Sequence, residues 1–207
     1  MQKLSCNKSL WRWGVVALYL LLCGLYFAPV EFRYKLVFPL VLLTIASLWE
    51  RMPLLTVALA LSALGDLMGV EGRLLLQIGA FAMAQVSYML LVGRRKPRRT
   101  AVEVAVAAAL PIALCVVAIV AILPAVGADA VKVGVLIYAL LIGTMATLAA
   151  LTESWCVRLG AMLFMLSDFT LAYALFVSSG PWLLSGSLAL YFAGQLLLWL
   201  GLTRRQR

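Results

Sequence analysis

Apolar runs as long as a membrane-spanning helix follow one another along nearly the whole chain. The hydrocarbon core of a bilayer is ~30 Å thick, so a helix needs roughly 20 predominantly apolar residues to cross it. With 65% hydrophobic and only 12% charged residues, the chain is too apolar to keep the surface of a soluble domain wet. Breaks at charges, prolines and glycines predict eight spans, at Trp11 to Phe27, Tyr34 to Trp49, Pro53 to Val70, Leu74 to Gly93, Ala101 to Leu123, Val131 to Leu151, Cys156 to Val177 and Trp182 to Leu202. Because the connections are short, we expect an all-α polytopic bundle forming a single transmembrane domain over residues 1–207.

Lysines and arginines fall mainly on one side of this arrangement. With eight spans, both termini and the even-numbered loops share a side, and that side carries 13 of the 17 basic residues. The other side keeps Arg33, Lys35, Arg73 and Lys132. Cytoplasmic loops carry the excess of Lys and Arg, so we expect both termini in the cytoplasm and the protein in a bacterial inner membrane. The net charge of +9 is then explained by the topology, with the basic loop at 94–99 lying near anionic lipid headgroups. No nucleic-acid partner is expected.

The sequence contains no histidine, and its four cysteines show no paired spacing. Catalytic zinc sites generally need His or Cys ligands in number, and catalytic triads generally rely on an imidazole base. We therefore expect no metal and no cofactor. Any hydrolysis would have to use carboxylates, amides, hydroxyls and water.

Two aspartates lie inside apolar spans, Asp66 in LALSALGDLMG and Asp168 in GAMLFMLSDFTLAYALF. A carboxylate at membrane depth is costly unless it faces protein or trapped water, so the default interpretation is a functional site. The structural alternative is a buried acid satisfied by Lys35, a tyrosine or a glutamine.

Other polar side chains recur at helical spacing and predict a cavity shared by several helices. Ser62, Gly65, Asp66 and Gly69 lie on one side of the third span. Candidate lining residues elsewhere are Lys35, Gln77, Gln85, Tyr88, Tyr138, Ser167, Tyr191 and Gln195. The alternative for the glycines is close helix packing, and for a single Gln or Tyr it is a hydrogen bond between helices.

Five strings and two residues upstream of them resemble the YhhN-like integral membrane family, whose characterised members are lysoplasmalogenases. They are SALGDLMG (62–69), IGAFAMAQVSYML (78–90), YALLIGTMATL (138–148), LGAMLFMLSDFTLA (159–172) and YFAGQLLLW (191–199), with Lys35 and Pro39 upstream. The resemblance spans nearly the whole chain, and eight spans with cytoplasmic termini fit it. One position departs, because the family usually carries His where Gln85 stands. Gln can hydrogen-bond a headgroup or water but cannot shuttle a proton near neutral pH.

The resemblance implies a lysophospholipid substrate with a vinyl ether at sn-1, cleaved to a fatty aldehyde and a glycerophospho-alcohol. Vinyl ethers hydrolyse when an acid protonates the β-carbon and water captures the resulting oxocarbenium ion. Two carboxyl groups can divide this work, as in glycoside hydrolysis through a similar cation. We expect Asp168, which has apolar neighbours in sequence, to be the protonated acid. Asp66, expected within reach of Lys35, would be the ionised partner.

Two other functional classes remain open. Paired intramembrane acids with Gln and Tyr also describe a proton-coupled transporter of a small solute, although the chain shows no obvious duplicated half. A non-catalytic lipid-binding protein is the third class, because of the departure at Gln85. Aldehyde release from a vinyl-ether lysolipid, uptake driven by a pH gradient, and binding without turnover distinguish the three.

Overall fold

The structure, a computed structural model, describes residues 2–29, 31–94, 100–127 and 129–204, with side chains from residue 10 onward. These residues form a bundle of eight α-helices and contain no strand. The helices are α1 (Gln2–Phe27), α2 (Phe38–Trp49), α3 (Pro53–Val70), α4 (Leu74–Gly93), α5 (Ala101–Ile122), α6 (Asp129–Ala150), α7 (Trp155–Phe176) and α8 (Pro181–Thr203). A 3₁₀ turn, Leu123–Ala125, follows α5. Most of the predicted basic loop, residues 95–99, lies outside the described residues.

Each predicted span matches one helix, although α1 begins nine residues before its predicted span. The second span is the one that its helix covers least. Seven helices of the described chain are long and apolar enough to cross a membrane, so the protein is an integral membrane protein, whereas α2 has only 12 residues. The predicted second span began at Tyr34, but turns occupy 33–37 and Pro39 lies in the first turn of α2. Proline is favoured there because its missing N–H would be unpaired anyway. The helix rises about 18 Å, so the turns before it must complete the crossing.

One end of the bundle, the inner end, is held together by Arg12. Its guanidinium donates to both carboxylate oxygens of Glu50 at 2.8 Å and to the carbonyl oxygen of Thr203 at 2.9 Å. The start of α1, the end of α2 and the end of α8 therefore meet at this end.

The opposite end, the outer end, joins the α1–α2 connection to the end of α3. Arg33 donates to the carbonyl oxygen of Val70 at 3.0 Å, and the Tyr34 hydroxyl donates to Glu71 at 3.0 Å. Since α2 links the two ends, successive helices alternate in direction, as eight spans require. The charge distribution predicts that the outer end faces away from the cytoplasm, and this orientation stays a prediction.

Small residues bring α7 and α8 into backbone contact near the inner end. A Cβ added to Gly160 would lie 2.8 Å from the amide nitrogen of Leu198, and one added to Gly194 would lie 2.9 Å from the amide nitrogen of Phe164. No side chain fits at these two positions without separating the helices. The packing interpretation of Gly160 is therefore confirmed, and it is the usual way that membrane helices approach closely.

Tryptophans near span ends predict interfacial anchors, and four of them, Trp11, Trp13, Trp49 and Trp182, are exposed to the surroundings of the bundle. The same prediction for Trp199 is wrong, because its side chain is 0% exposed. It lies on α8, which packs against α1, α2 and α7. Trp199 therefore packs among helices and is not available as an anchor at the membrane surface.

Candidate functional site

The carboxyl group of Asp66 is enclosed between α3 and α8. Its side chain is only 4% exposed, and its Oδ2 atom accepts a hydrogen bond of 2.9 Å from the hydroxyl of Tyr191. Asp66 lies four residues before the end of α3, and Tyr191 lies ten residues after the start of α8, so both belong to the outer half of the bundle.

The carboxyl group of Asp168 ends a chain of hydrogen bonds that crosses three helices. The Tyr138 hydroxyl on α6 donates to Oδ2 of Asp168 on α7, and Nε2 of Gln85 on α4 donates to the Tyr138 oxygen at 3.3 Å. Because the tyrosine oxygen accepts from the amide, its own proton points to the aspartate. Gln85 is fully buried, and its Oε1 atom has no hydrogen-bond partner in the described structure.

A second buried chain of hydrogen bonds lies deeper in the bundle. The hydroxyl of Tyr88 donates to Oε1 of Gln195 at 2.7 Å, and Nε2 of Gln195 donates to the Ser62 hydroxyl at 3.3 Å. Ser62 in turn donates to the carbonyl oxygen of Ala58 at 3.0 Å. Tyr88 and Gln195 are therefore hydrogen-bond partners, which is the alternative role given above to a single Gln or Tyr in a span.

Aromatic rings join the two aspartate sites. The Phe81 ring centroid lies 6.4 Å from that of Tyr138 and 6.1 Å from that of Tyr191, the two residues that hydrogen-bond the acids. Phe81 also packs on Gly65, where a Cβ would lie 2.8 Å from the ring. The two acids therefore belong to one cluster, with Phe81 between their tyrosine partners.

An apolar cleft leads from the outer end of the bundle to Asp168. It holds about 60 Å³ and is lined by Leu74, Gln77, Ile78, Phe81, Val135, Tyr138, Asp168, Leu171, Ala172, Leu175 and Phe176. The lining residues furthest from the outer end are Phe81, Tyr138 and Asp168, one on each of α4, α6 and α7. A second cavity of about 30 Å³, between α5, α6 and α7, also reaches Tyr138 and Asp168.

The structure distributes the predicted site residues unevenly. Gln77 lines the cleft, and its amide packs on Gly69. Ser167 is buried next to Asp168 in sequence. Lys35 lies further out, where its ammonium donates to the carbonyl oxygen of Ala28 at 3.1 Å and lies 5.4 Å from the ring centroid of Tyr26.

Sequence reasoning missed most of the apolar lining. Ala172, Leu175 and Phe176 follow Asp168 at steps of four, seven and eight residues, which places them on its face of α7. That spacing was the available signal. The lining from α6, chiefly Val135, lies one turn before Tyr138 in the same way.

Metal ligands do not gather at this site. Among the described residues, no three His, Cys, Asp or Glu side chains come close enough to hold an ion together. The chemistry available from the chain itself is that of two carboxyl groups with tyrosine and glutamine donors.

Comparison with known proteins identifies the family. No curated protein and no solved structure matches the chain. The model of the YhhN family matches residues 32–202, a range that includes every helix that contributes to the cleft and both aspartates. The chain therefore belongs to the YhhN family.

Proposed function

We propose that the protein is a lysoplasmalogenase, which hydrolyses the sn-1 vinyl ether of a lysoplasmalogen to a fatty aldehyde and a glycerophospho-alcohol. The observation that carries the proposal is the position of Asp168, a carboxyl group deep in an apolar cleft with a tyrosine donor beside it. Such a cleft suits a long hydrocarbon chain. Family membership supports the proposal, and the physiological location would be a bacterial inner membrane.

The reaction needs one proton delivered to carbon and one water molecule. Asp168, in its carboxylic acid form, gives its proton to the β-carbon of the vinyl ether, and the double bond becomes an oxocarbenium ion. Water then adds to the carbon next to the ether oxygen and loses a proton to a base. As the hemiacetal breaks its bond to the glycerol oxygen, its hydroxyl loses a proton to form the aldehyde and the glycerol oxygen takes up a proton. The proton that the base took from water returns to Asp168.

Asp168 is the better placed of the two acids for the first step because it lines the cleft, whereas Asp66 is enclosed. The hydrogen bond from Tyr138 occupies Oδ2 of Asp168, so the transferable proton resides on Oδ1. Gln85 would help by fixing the direction of the tyrosine hydroxyl. These two residues position the acid and do not themselves react.

Asp66 would be the ionised partner that stabilises the cation and accepts the proton of the attacking water. Its hydrogen bond from Tyr191 offsets part of the cost of a buried charge, since a donor to a carboxylate stabilises it. Phe81 lines the cleft and packs against Tyr191, the hydrogen-bond partner of Asp66. A rotation of this ring on substrate entry would open the path for water and charge.

The substrate would enter from the lipid side. A volume of about 60 Å³ is small beside the ~300–1,000 Å³ of typical ligand pockets. The lipid must therefore displace side chains as it enters. Leu75 and Leu175 at the outer ends of α4 and α7 are more than half exposed to the surroundings of the bundle, so the cleft has an apolar rim that a hydrocarbon chain can cross.

The test is aldehyde release by the purified protein from a vinyl-ether lysophosphatidylethanolamine. We expect release from this lipid and none from the matched lipid with a saturated alkyl ether, because a saturated ether has no double bond whose carbon can take up a proton. Asp168→Asn should lower the rate by about a hundredfold or more, as expected for a general acid. Glu153→Gln, which removes an exposed acid near the inner end, is the matched control and should be fully active. Lack of aldehyde from the folded parent protein would refute the proposal.

A further inference from the structure

Of the residues that the structure describes, four basic ones lie at the outer end of the bundle, and two of these contact other groups of the protein. Arg33 lies 3.5 Å from the Glu71 carboxylate. Lys35 donates to the carbonyl oxygen of Ala28 at 3.1 Å. These contacts hold the α1–α2 connection in place and leave the two side chains little freedom to bind a ligand.

The other two, Arg73 and Lys132, are not engaged. Arg73 is the exposed residue that precedes α4, and Lys132 is a half-buried residue in the first turn of α6. Among the described residues, neither side chain donates a hydrogen bond or forms an ion pair. We call these two residues the mouth cations. Their donors are available to a ligand.

The mouth cations flank a contact between the outer ends of α4 and α6. Gly134, two residues after Lys132, faces α4, because a Cβ added there would lie in van der Waals contact with Ile78 (3.5 Å from Cγ2) and Leu75 (3.9 Å from Cδ2). Leu75 in turn follows Arg73 by two residues. The two cations therefore begin neighbouring helices at the same end of the bundle.

Each cation also continues a helix face that lines the cleft. Gln77 follows Arg73 by four residues, and Val135 and Tyr138 follow Lys132 by three and six. Steps of three and four residues stay on one side of a helix, so Gln77 and Val135 lie one turn below the cations. Tyr138 lies one further turn along from Val135, about a third of the way round the helix from Lys132. From the outer end, α4 thus presents Arg73, then Gln77 and then Phe81. In the same order α6 presents Lys132, then Val135 and then Tyr138.

We propose that Arg73 and Lys132 bind the phosphate of the lysophospholipid, an inference that rests on the proposed function and names the part of the substrate held at the mouth. Six residues separate Lys132 from Tyr138, a rise of about 9 Å. A phosphate and the glycerol carbons attached to it can span that distance. With the phosphate at the mouth, the sn-1 ether reaches Asp168 and the hydrocarbon chain lies along the apolar lining.

The acidic residues near the mouth cations do not neutralise them. Glu71 already accepts from Tyr34 and faces Arg33. Asp129, one turn before Lys132, is exposed and makes no ion pair with it in the described structure. Two cations that converge on one ligand suit a phosphate, because charge-assisted hydrogen bonds to its oxygens are among the strong ones.

The binding test uses a lipid that the enzyme cannot hydrolyse, the alkyl-ether lysophosphatidylethanolamine, titrated into protein in a neutral detergent. Arg73→Gln and Lys132→Gln should each raise Kd by about threefold to tenfold, and the double variant by about thirtyfold. Arg158→Gln, which removes an exposed cation near the inner end, is the matched control and should not change Kd. The phosphate-free analogue, an alkylglycerol, should bind the parent and the double variant equally.

Three results would overturn the inference. They are an unchanged Kd for the lysophospholipid in the double variant, an equal loss of affinity for the alkylglycerol, and displacement of the lipid by millimolar inorganic phosphate, which would assign the site to a soluble anion. Because no turnover is needed, cation-dependent binding without aldehyde release would refute the proposed function and leave this inference standing. Conversely, aldehyde release with an unchanged KM in the double variant would refute the inference alone. We expect KM to rise with Kd while kcat stays within about twofold, since the phosphate does not react.

Discussion

The inner and outer halves of α7 differ in what they pack against. In the inner half, Gly160 and the backbone of Phe164 meet α8 without intervening side chains. In the outer half, Asp168 and the apolar residues on its face border the cleft. The contrast places close backbone packing in one half of the helix and the candidate site in the other. A tightly packed inner half can hold a costly buried acid at a fixed position.

Removal of the second acid is the most severe test of this contrast. Asp66→Asn should lower the rate of aldehyde release by about a hundredfold or more, because the amide carries no charge to stabilise the cation. The double variant with Asp168→Asn should lose little more than either single variant, since residues that act as a unit fail together.

The loss of activity in these variants should not be accompanied by a loss of stability. The amide oxygen introduced by Asp66→Asn can still accept the hydrogen bond from Tyr191, so we expect the unfolding midpoint in detergent to stay equal or to rise. Unfolding of Asp66→Asn in detergent that keeps the parent folded would assign Asp66 to structure and would remove the contrast between the halves.

A substitution in the inner half of α7 should lower stability and leave activity unchanged. Gly160→Ala forces a methyl group against the backbone of α8, and we expect a loss of about 1–3 kcal/mol in the free energy of unfolding, as for other overpacked positions. The rate per folded molecule should change little. Reversible unfolding in mixed micelles measures the first quantity, and the aldehyde assay on folded protein measures the second.

Gly186→Ala is the control for Gly160→Ala. An added Cβ at Gly186 meets nothing within 4 Å, so the helix should gain up to about 1 kcal/mol from better propensity. Equal effects of the two substitutions would show that the α7–α8 contact is not what stabilises the bundle.

Tyr138→Phe sharpens the description of the outer half. It removes the donor to Asp168 and the acceptor for Gln85, and we expect kcat to fall by about tenfold with KM unchanged, the equivalent of one net hydrogen bond. Tyr173→Phe, an exposed hydroxyl on the same helix as Asp168, should have no effect. A change confined to KM would place Tyr138 in binding instead of positioning.

The smallest effects are expected at Gln85. Gln85→Leu removes the amide donor to Tyr138 but also an oxygen that has no partner, so the fold should be retained and the rate should fall by only about threefold. Gln85→His should be tolerated, and it adds a group that titrates near ~6.5. A pH–rate profile of the His variant should therefore show a new inflection. If Gln85→Leu is as active as the parent, Gln85 only packs.

The sequence was sufficient to predict the helices, because each apolar run is long and is bounded by charges, prolines or glycines. The limits of α2 were harder, since Leu36 and Val37 in the turns before it continue its apolar run. The acids could be named from their cost at membrane depth, but their partners could not. The pairing of Tyr191 with Asp66 and of Tyr138 with Asp168 depends on which helices are neighbours. Helical periodicity shows which residues share a side of one helix, but it does not show which helices pack together.

The inner-end contacts of Arg12 also have a consequence for the biogenesis of the protein. Arg12 and its acceptor Thr203 are 191 residues apart in the chain, and Tyr19 donates to the backbone of Phe192 at a separation of 173. At ~5–20 residues per second, translation takes about 10–40 s to deliver α8, the later of the two helices that pack against α1 in the part of the chain that the structure describes. Until the ribosome has made the last helix, the side of α1 that contacts α8 lacks this partner, although α2 is already present to pack against α1.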